Sequence, residues 1–327
     1  ASVSDVKVID TAIDLGQKPI YPNPTFNYLV GIMLGIVLPL FYIIIRELLD
    51  NKIRTIDEIE KQYNIPILGA IGRNKGINNL VVFDRPKSIV AESFRALRSN
   101  IQFLFKNSTD NSVMKRAKTL LLTSSVSGEG KTFCSSNLSN LIARGNKKTI
   151  IIDFDLHRPK VHKMYKLQNT KGVSNFIIGK STIEDIIHSE VYENLDIITA
   201  GPVAPNPSEL VLRDQVKELL DYADQNYDFV IIDTPPFGLL NDTLELLNYV
   251  DMFLIIMNTR YTRKKGVDHI NNMLEKYGIL TLKDGSNHIK RLLEQNDFNE
   301  KVDYLVAKVG DQLLSGTKYK NEYYLHP

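Results

Sequence analysis

This 327-residue chain lacks a charge excess of one sign, paired cysteines and internal repeats, and each absence closes a class of function. Forty Lys and Arg face 38 Asp and Glu, a net charge of +2. That balance supplies no basic field for a nucleic-acid backbone, so no nucleic-acid partner is expected. A lone cysteine, Cys134, excludes an intrachain disulfide framework and a cysteine-based metal cluster, and fits a reducing compartment. Its simplest reading is a small buried helix residue. No charged leader followed by a cleavage site opens the chain, so a signal peptide is not expected.

Charge is also missing locally. Residues 19–45 carry none, and residues 28–45 (YLVGIMLGIVLPLFYIII) form an 18-residue apolar run, the lower end of what spans a bilayer. Pro39 and two glycines are poor choices for a soluble helix but are tolerated in a membrane one. Tyr28 and Tyr42 near the ends, with Arg46 at the exit, fit the two interfaces. A buried core helix is the competing reading. Arg46, Lys52, Arg54 and Lys61 follow the run while Lys7 and Lys18 precede it, which favours a cytoplasmic C-terminal side.

What is present divides the rest of the chain. Residues 1–27, with VKVIDTAIDLG and the Pro-rich KPIYPNP, read as a strand and an extended lead-in on the far side of the membrane. After the apolar run come a helix, a Thr55 cap with Glu58 three residues on, a second short helix and a turn at Pro66. Residues 72–87 form a Gly/Asn/Pro-rich linker. In SIVAESFRALRSNIQFLF, Phe94, Leu97, Ile101 and Leu104 mark one apolar helix face.

From Thr119 the pattern becomes short apolar runs separated by helix-length amphipathic stretches. The runs TLLLT, KTIIIDFD, LDIITAG, DFVIIDT and DMFLIIM are continuous rather than alternating, as suits strands buried on both faces of a parallel sheet. A helix-flanked α/β domain follows, with its ligand beyond the C-terminal ends of the strands. Three strand ends carry chemistry. TSSVSGEGKT follows the first, so backbone N–H groups and the dipole of the next helix face phosphate oxygens. Lys131 would reach the β- and γ-phosphates and Thr132 would ligate magnesium. The pattern G-x-x-x-x-G-K-[ST] asks for glycine where this chain has Ser125. Asp153 and Asp155 leave the second strand two residues apart, costly unless a cation or a proton-transfer task occupies them. Asp233 ends DFVII as a Walker-B-like acid that holds magnesium through water. The expected fold class is thus a P-loop NTPase-type α/β domain, a mostly parallel sheet flanked by helices, preceded by one transmembrane helix.

Together TSSVSGEGKT, IIIDFDLHRPKVH and FVIIDTPP resemble the bacterial tyrosine kinases, the cytoplasmic part of membrane polysaccharide co-polymerases. The Pro-rich lead-in, the membrane run ending in RELLDNKI, and NIPILGAIG resemble that family's second transmembrane segment and juxtamembrane region, so the likeness covers about residues 19–278. Serine is common in the family at the first-glycine position. The resemblance implies that Ser125, Gly128, Glu129, Gly130, Lys131, Thr132 and Cys134 bind ATP. Thr132, Asp153, Asp155 and Asp233 would hold Mg2+, and Lys131, Asp153, Asp155 and Asp233 would be catalytic, Asp155 orienting or deprotonating a tyrosine. Glu92, Arg95 and Arg98 fall on its oligomerisation motif, implying a ring-like homo-oligomer, an octamer by expectation. Physics alone reads those three as a salt-bridged solvated face. Arg260, Arg263, Lys264 and Lys265 read equally as a site near phosphates, an interface or a solvated helix start.

The family's dense C-terminal tyrosine cluster is reduced here to Tyr319, Tyr323 and Tyr324 in GTKYKNEYYLHP, the expected phosphoacceptors. Residues 279–301 read as an insertion before a last strand at 302–309, and Ser127 and His157 depart from the family's usual proline and arginine. The domains are then the end of an extracytoplasmic chain-length domain (1–27), a transmembrane helix (28–46), a juxtamembrane helix and linker (47–87), a kinase domain (88–309) and a tyrosine-bearing tail (310–327). The resemblance implies a bacterial inner-membrane autokinase with a cytoplasmic kinase domain. Its expected partners are itself, the polysaccharide synthesis and export machinery, and a tyrosine phosphatase. A ParA/MinD-type ATPase switch is the first rival, and that group carries a lysine where Val126 stands. A non-catalytic assembly module is the second.

Overall fold

A computed structural model describes residues 23–49, 67–74, 76, 79–107, 117–236, 245–259 and 262–276, and the backbone of 302–309. The chain divides into two units, residues 1–51 and 52–327. In the first, Pro24–Leu48 forms helix α1, with Pro24 where a missing N–H costs nothing and Arg46 in the last turn. Its 25 residues at 1.5 Å each reach about 38 Å, beyond the roughly 30 Å of a hydrocarbon core. None of its side chains is buried, and it is long and apolar enough to cross a membrane.

The second unit is an eight-stranded sheet: β1 (Ile67–Gly72), β2 (Lys118–Ser124), β3 (Thr149–Asp153), β4 (Ile187–Tyr192), β5 (Leu195–Ile198), β6 (Phe229–Asp233), β7 (Met252–Asn258) and β8 (Val302–Val309), in the order β1-β8-β7-β2-β6-β3-β5-β4. The five runs singled out in the sequence are its parallel core, β7-β2-β6-β3-β5. Antiparallel strands close both edges, β8 and β1 on one side and β4 on the other. Ile67–Gly72 lies upstream of the expected boundary at residue 88, yet it pairs along β8 and belongs to this sheet. Two glycines and a preceding proline hide it from a propensity reading, since its strand character comes from its partner.

Alternate strand residues fill two cores. Leu121, Ile150, Ile152, Val230, Ile232 and Ile255 pack on one face. There they meet Leu219 and Ala223 of α4 (Asp214–Asn226) and Val267 and Ile270 of α5 (Lys264–Lys276). Leu120, Leu122, Ile151, Ile231 and Leu254 pack on the other, beneath α2 (Ile89–Asn107) and α3 (Lys131–Ala143). Phe94, Leu97, Ile101 and Leu104 of α2 are buried there, as their spacing predicts. With both faces covered, the middle residues of β2, β3, β6 and β7 are apolar, and β2, in mid-sheet, has its C-terminal end free for the loop that follows it.

Candidate functional site

The loop after β2 turns into α3 through two glycines in the left-handed region, Gly128 at φ +96° and Gly130 at φ +93°. A side chain at either position would strain that turn. Inside the loop, Glu129 folds back and is fully buried. Its carboxylate accepts from Ser125 N at 2.6 Å, Val126 N at 3.0 Å and Ser125 Oγ at 2.7 Å, and from the Thr262 hydroxyl. Burial pushes its pKa up, opposed by those four donors. Ser125, where a glycine is the rule, thus contributes both its N–H and its hydroxyl to an internal clamp.

Lys131 opens α3 and is held among acids from two neighbouring strands. Its Nζ lies 2.7 Å from Asp155 Oδ2 and 3.6 Å from Asp233 Oδ2. Thr132 Oγ1 donates to the same Asp233 oxygen at 2.7 Å. The sheet register sets Asp153 directly opposite Asp233. Asp153 is tied by backbone N–H groups, from Asp155 at 3.0 Å, Lys160 at 3.3 Å and Val161 at 3.1 Å, while Asp155 also accepts from Arg158 N at 3.0 Å. Sequence spacing separates Lys131 from Asp233 by 102 positions, and the parallel β2-β6-β3 pairing brings them together.

The electrostatics follow from burial. Desolvation, reinforced by Asp233, pushes Asp153 up to about 8. Burial also raises Asp233, against the pull of Lys131 and the Thr132 hydroxyl. Burial alone would raise Asp155, but the Lys131 ammonium at 2.7 Å holds it below the usual carboxylate range. For Lys131, burial favours the neutral amine, and Asp233, Asp155 and Asp153 outweigh it and raise the pKa. Three carboxylates surround one ammonium, and Asp233 Oδ1 is buried with no hydrogen-bond partner among the described residues. Such an oxygen calls for a cation or a water. Among the described residues no three His, Cys, Asp or Glu side chains converge as a metal cage. A hydroxyl and one or two carboxylates suit magnesium, which takes its remaining ligands from water and substrate phosphates.

Lys131, Thr132 and Asp155 border a cleft of about 270 Å³ whose walls also include Gly128, Gly130 and Lys160, while Asp153 and Asp233 are not among its walls. Ser127 of the loop lines it too, and Asn74, Gly76, Asn79, Phe133 and Met164, which sequence patterning alone does not pick out, complete it. The linker residue Asn79 is anchored to α3 through Asn137 Nδ2 at 2.8 Å. Cys134 is wholly buried beneath the loop, its N–H bonded to Gly130 O at 2.9 Å, and burial pushes its thiol pKa up. Neither its side chain nor that of Glu129 lines the cleft. On α2, Glu92 and Arg95 form an exposed pair, and Arg95 also reaches Pro86 O. Arg98 turns inward, Nη1 donating to Leu141 O at 3.0 Å near the end of α3. Tyr319, Tyr323, Tyr324, Arg260, the insertion at 279–301, the juxtamembrane helices and residues 1–22 lie outside the described residues.

A glycine-bent loop on a mid-sheet strand, opening a helix at a Lys-Thr pair between facing strand-end aspartates, defines a nucleotide-binding P-loop NTPase-type domain. A family model described as an AAA domain matches residues 117–283, about half the chain. The putative tyrosine-protein kinase CapB of Staphylococcus aureus is 37% identical over 202 residues, 62% of this chain and 86% of that protein. The putative tyrosine-protein kinase in the cps region of Klebsiella pneumoniae is 30% identical over 284 residues, 82% of this chain and 38% of that protein. The solved kinase domain of the Escherichia coli tyrosine kinase ETK superposes with a TM-score of 0.60 at 30% identity, covering 67% of this chain and 88% of that one. The chain belongs to the bacterial tyrosine-protein kinases. It spans about two fifths of the length of the Klebsiella relative.

Proposed function

We propose that this chain is a membrane-anchored tyrosine autokinase that transfers the ATP γ-phosphate to Tyr319, Tyr323 and Tyr324 of a neighbouring copy. The observation that carries this reading is Lys131, buried at the loop's helix start with Asp155 and Asp233 on its ammonium. When bound, magnesium ATP supplies the phosphoryl group and a cation that neutralises its charge. Thr132 Oγ1 and Asp233 would hold the metal, with Asp153 fixing the strand end through its backbone bonds. With nucleotide bound, Lys131 would pair with the phosphate oxygens, which would free Asp155 Oδ2 from its ion pair. Asp155 then orients the incoming phenol. The phenolic oxygen bonds to the γ-phosphorus, the bond to the β,γ-bridging oxygen breaks, its electron pair leaves with ADP, and the proton passes to Asp155.

The helix α1 supports anchoring in the bacterial inner membrane, the basic residues Arg46, Lys52, Arg54 and Lys61 after the apolar run support a cytoplasmic kinase domain, and the exposed Glu92–Arg95 pair supports self-association through α2 in a ring. The relation to a kinase in a cps region supports a role in capsule or exopolysaccharide synthesis and export, with a tyrosine phosphatase to reverse the mark. The full chain in detergent, given magnesium and ATP and mapped for phosphotyrosine by mass spectrometry, tests the reading. Phosphate on the tail tyrosines is expected, and Lys131→Met should reduce it at least a hundredfold. ATP hydrolysis without phosphotyrosine would instead establish a ParA/MinD-type switch, and nucleotide binding without turnover an assembly module.

A further inference from the structure

A second cleft, of about 670 Å³, adjoins the phosphate loop, walled by Val126, Ser127, Gly128, Arg263, Lys265 and Gly266. It shares only Ser127 and Gly128 with the nucleotide cleft, so the loop tip divides the two. Gly266 allows this close approach: a Cβ there would stand 3.3 Å from Ser125 Oγ, tight enough to press on the clamped serine. The turn before α5 is fixed as well, because Thr262 Oγ1 accepts from Asn258 N at 2.8 Å and donates to Glu129. From this fixed turn Arg263 and Lys265 extend into solvent, and among the described residues neither has an acidic partner. Opposite them Val126 leaves an apolar side chain 45% exposed. The transfer chemistry described above uses none of the three.

We propose that this cleft is an acceptor subsite for an aryl phosphate, a tyrosine of a second copy's tail that already carries phosphate. The guanidinium and ammonium, at the positive end of a 13-residue helix, answer the nearly two negative charges of phosphotyrosine, and Val126 gives its ring an apolar surface. The tail spacing fits the divide. Tyr319 and Tyr323 are four residues apart, roughly 13–14 Å in an extended chain, while loop residues 126–128 span at most about 11 Å. A phosphorylated Tyr319 seated beside Arg263 leaves Tyr323 within reach of the nucleotide cleft, so one phosphorylation primes the next. Before phosphorylation, YKNEYY offers a single carboxylate against the lysine beside it, and the subsite has little to hold.

This inference rests on the kinase reading, and its test separates the two. Peptides of sequence GTKYKNEYYLHP, plain or carrying phosphate on Tyr319, are offered to the full chain in detergent with magnesium and ATP, and turnover at Tyr323 and Tyr324 is followed by mass spectrometry. In parallel, binding of the fluorescein-labelled phosphopeptide is measured by anisotropy in the presence of ADP. The priming phosphate should lower KM about tenfold with little change in kcat, and tighten binding equally. The R263A/K265A variant should abolish that advantage while keeping its KM for ATP and its rate on the plain peptide within twofold; R263K/K265R, which keeps the charge, should retain most of it. Equal KM for the two peptides, or an advantage that survives R263A/K265A, overturns the subsite. If neither peptide is phosphorylated the kinase reading fails, and the subsite then stands or falls on anisotropy: phosphopeptide binding lost in R263A/K265A sustains it, and no phosphate preference ends it.

Discussion

Glu129 makes a mobile turn into a cradle. A loop with two left-handed glycines has many conformations to lose, and four hydrogen bonds to one buried carboxylate select a single one. Removing the carboxylate leaves two backbone N–H groups and two hydroxyls without a partner in a buried setting. Glu129→Ala should therefore lower unfolding free energy by about 2–4 kcal/mol in denaturant titration and weaken ADP binding by tenfold or more. An unchanged ADP affinity in the folded variant would mean that the loop holds its shape without the clamp. The motif was legible in TSSVSGEGKT, and so were Lys131, Thr132 and the three aspartates. The inward turn of Glu129 was not, because its partner Thr262 lies 133 positions away and no local pattern marks it.

At the scale of elements, α1 and the five parallel strands were legible in the sequence, while the edge strands β1 and β4 were not. An 18-residue apolar run declares itself because a bilayer imposes a length, and the helix extends it only to Pro24–Leu48. Placing charges in its middle should test the anchor: Leu34→Arg with Leu38→Arg is expected to move the chain from the membrane fraction to the soluble fraction or to degradation, at a cost of about 3 kcal/mol per arginine or more. Retention in carbonate-washed membranes would show that another segment holds it. The five parallel strands were equally legible, since burial on both faces demands continuous apolar runs. The edge strands β1 and β4 were not. Their residues are shaped by one neighbour each, and β4, with a partly exposed surface, carries His188, Ser189 and Glu190. The exposed α2 pair was legible as a motif, while the inward course of Arg98 depended on where the end of α3 lies.

For the whole molecule, the proposed transfer would run between two copies, Tyr319, Tyr323 and Tyr324 of one receiving phosphate at the site that β2, β3 and β6 assemble in the next. Mixing two defective chains tests this directly. Lys131→Met with an intact tail, incubated with a chain whose Tyr319, Tyr323 and Tyr324 are all phenylalanine, should acquire phosphotyrosine on the Lys131→Met partner while each alone stays unmodified. Absence of phosphate in the mixture, with a wild-type chain active at any dilution, would establish transfer within one copy.

The sequence by itself determined the membrane run, the parallel core, the phosphate loop and the three aspartates, because bilayer thickness, two-faced burial and phosphate geometry each impose a local pattern of residue types. Tertiary structure decided which of those aspartates meets Lys131, that Glu129 faces into the loop, that Ile67–Gly72 joins the sheet, and that Arg263 and Lys265 stand beside the loop tip. Each of these depends on residues from separate strands and helices meeting at the end of β2, a proximity that sheet order creates and spacing along the chain does not record.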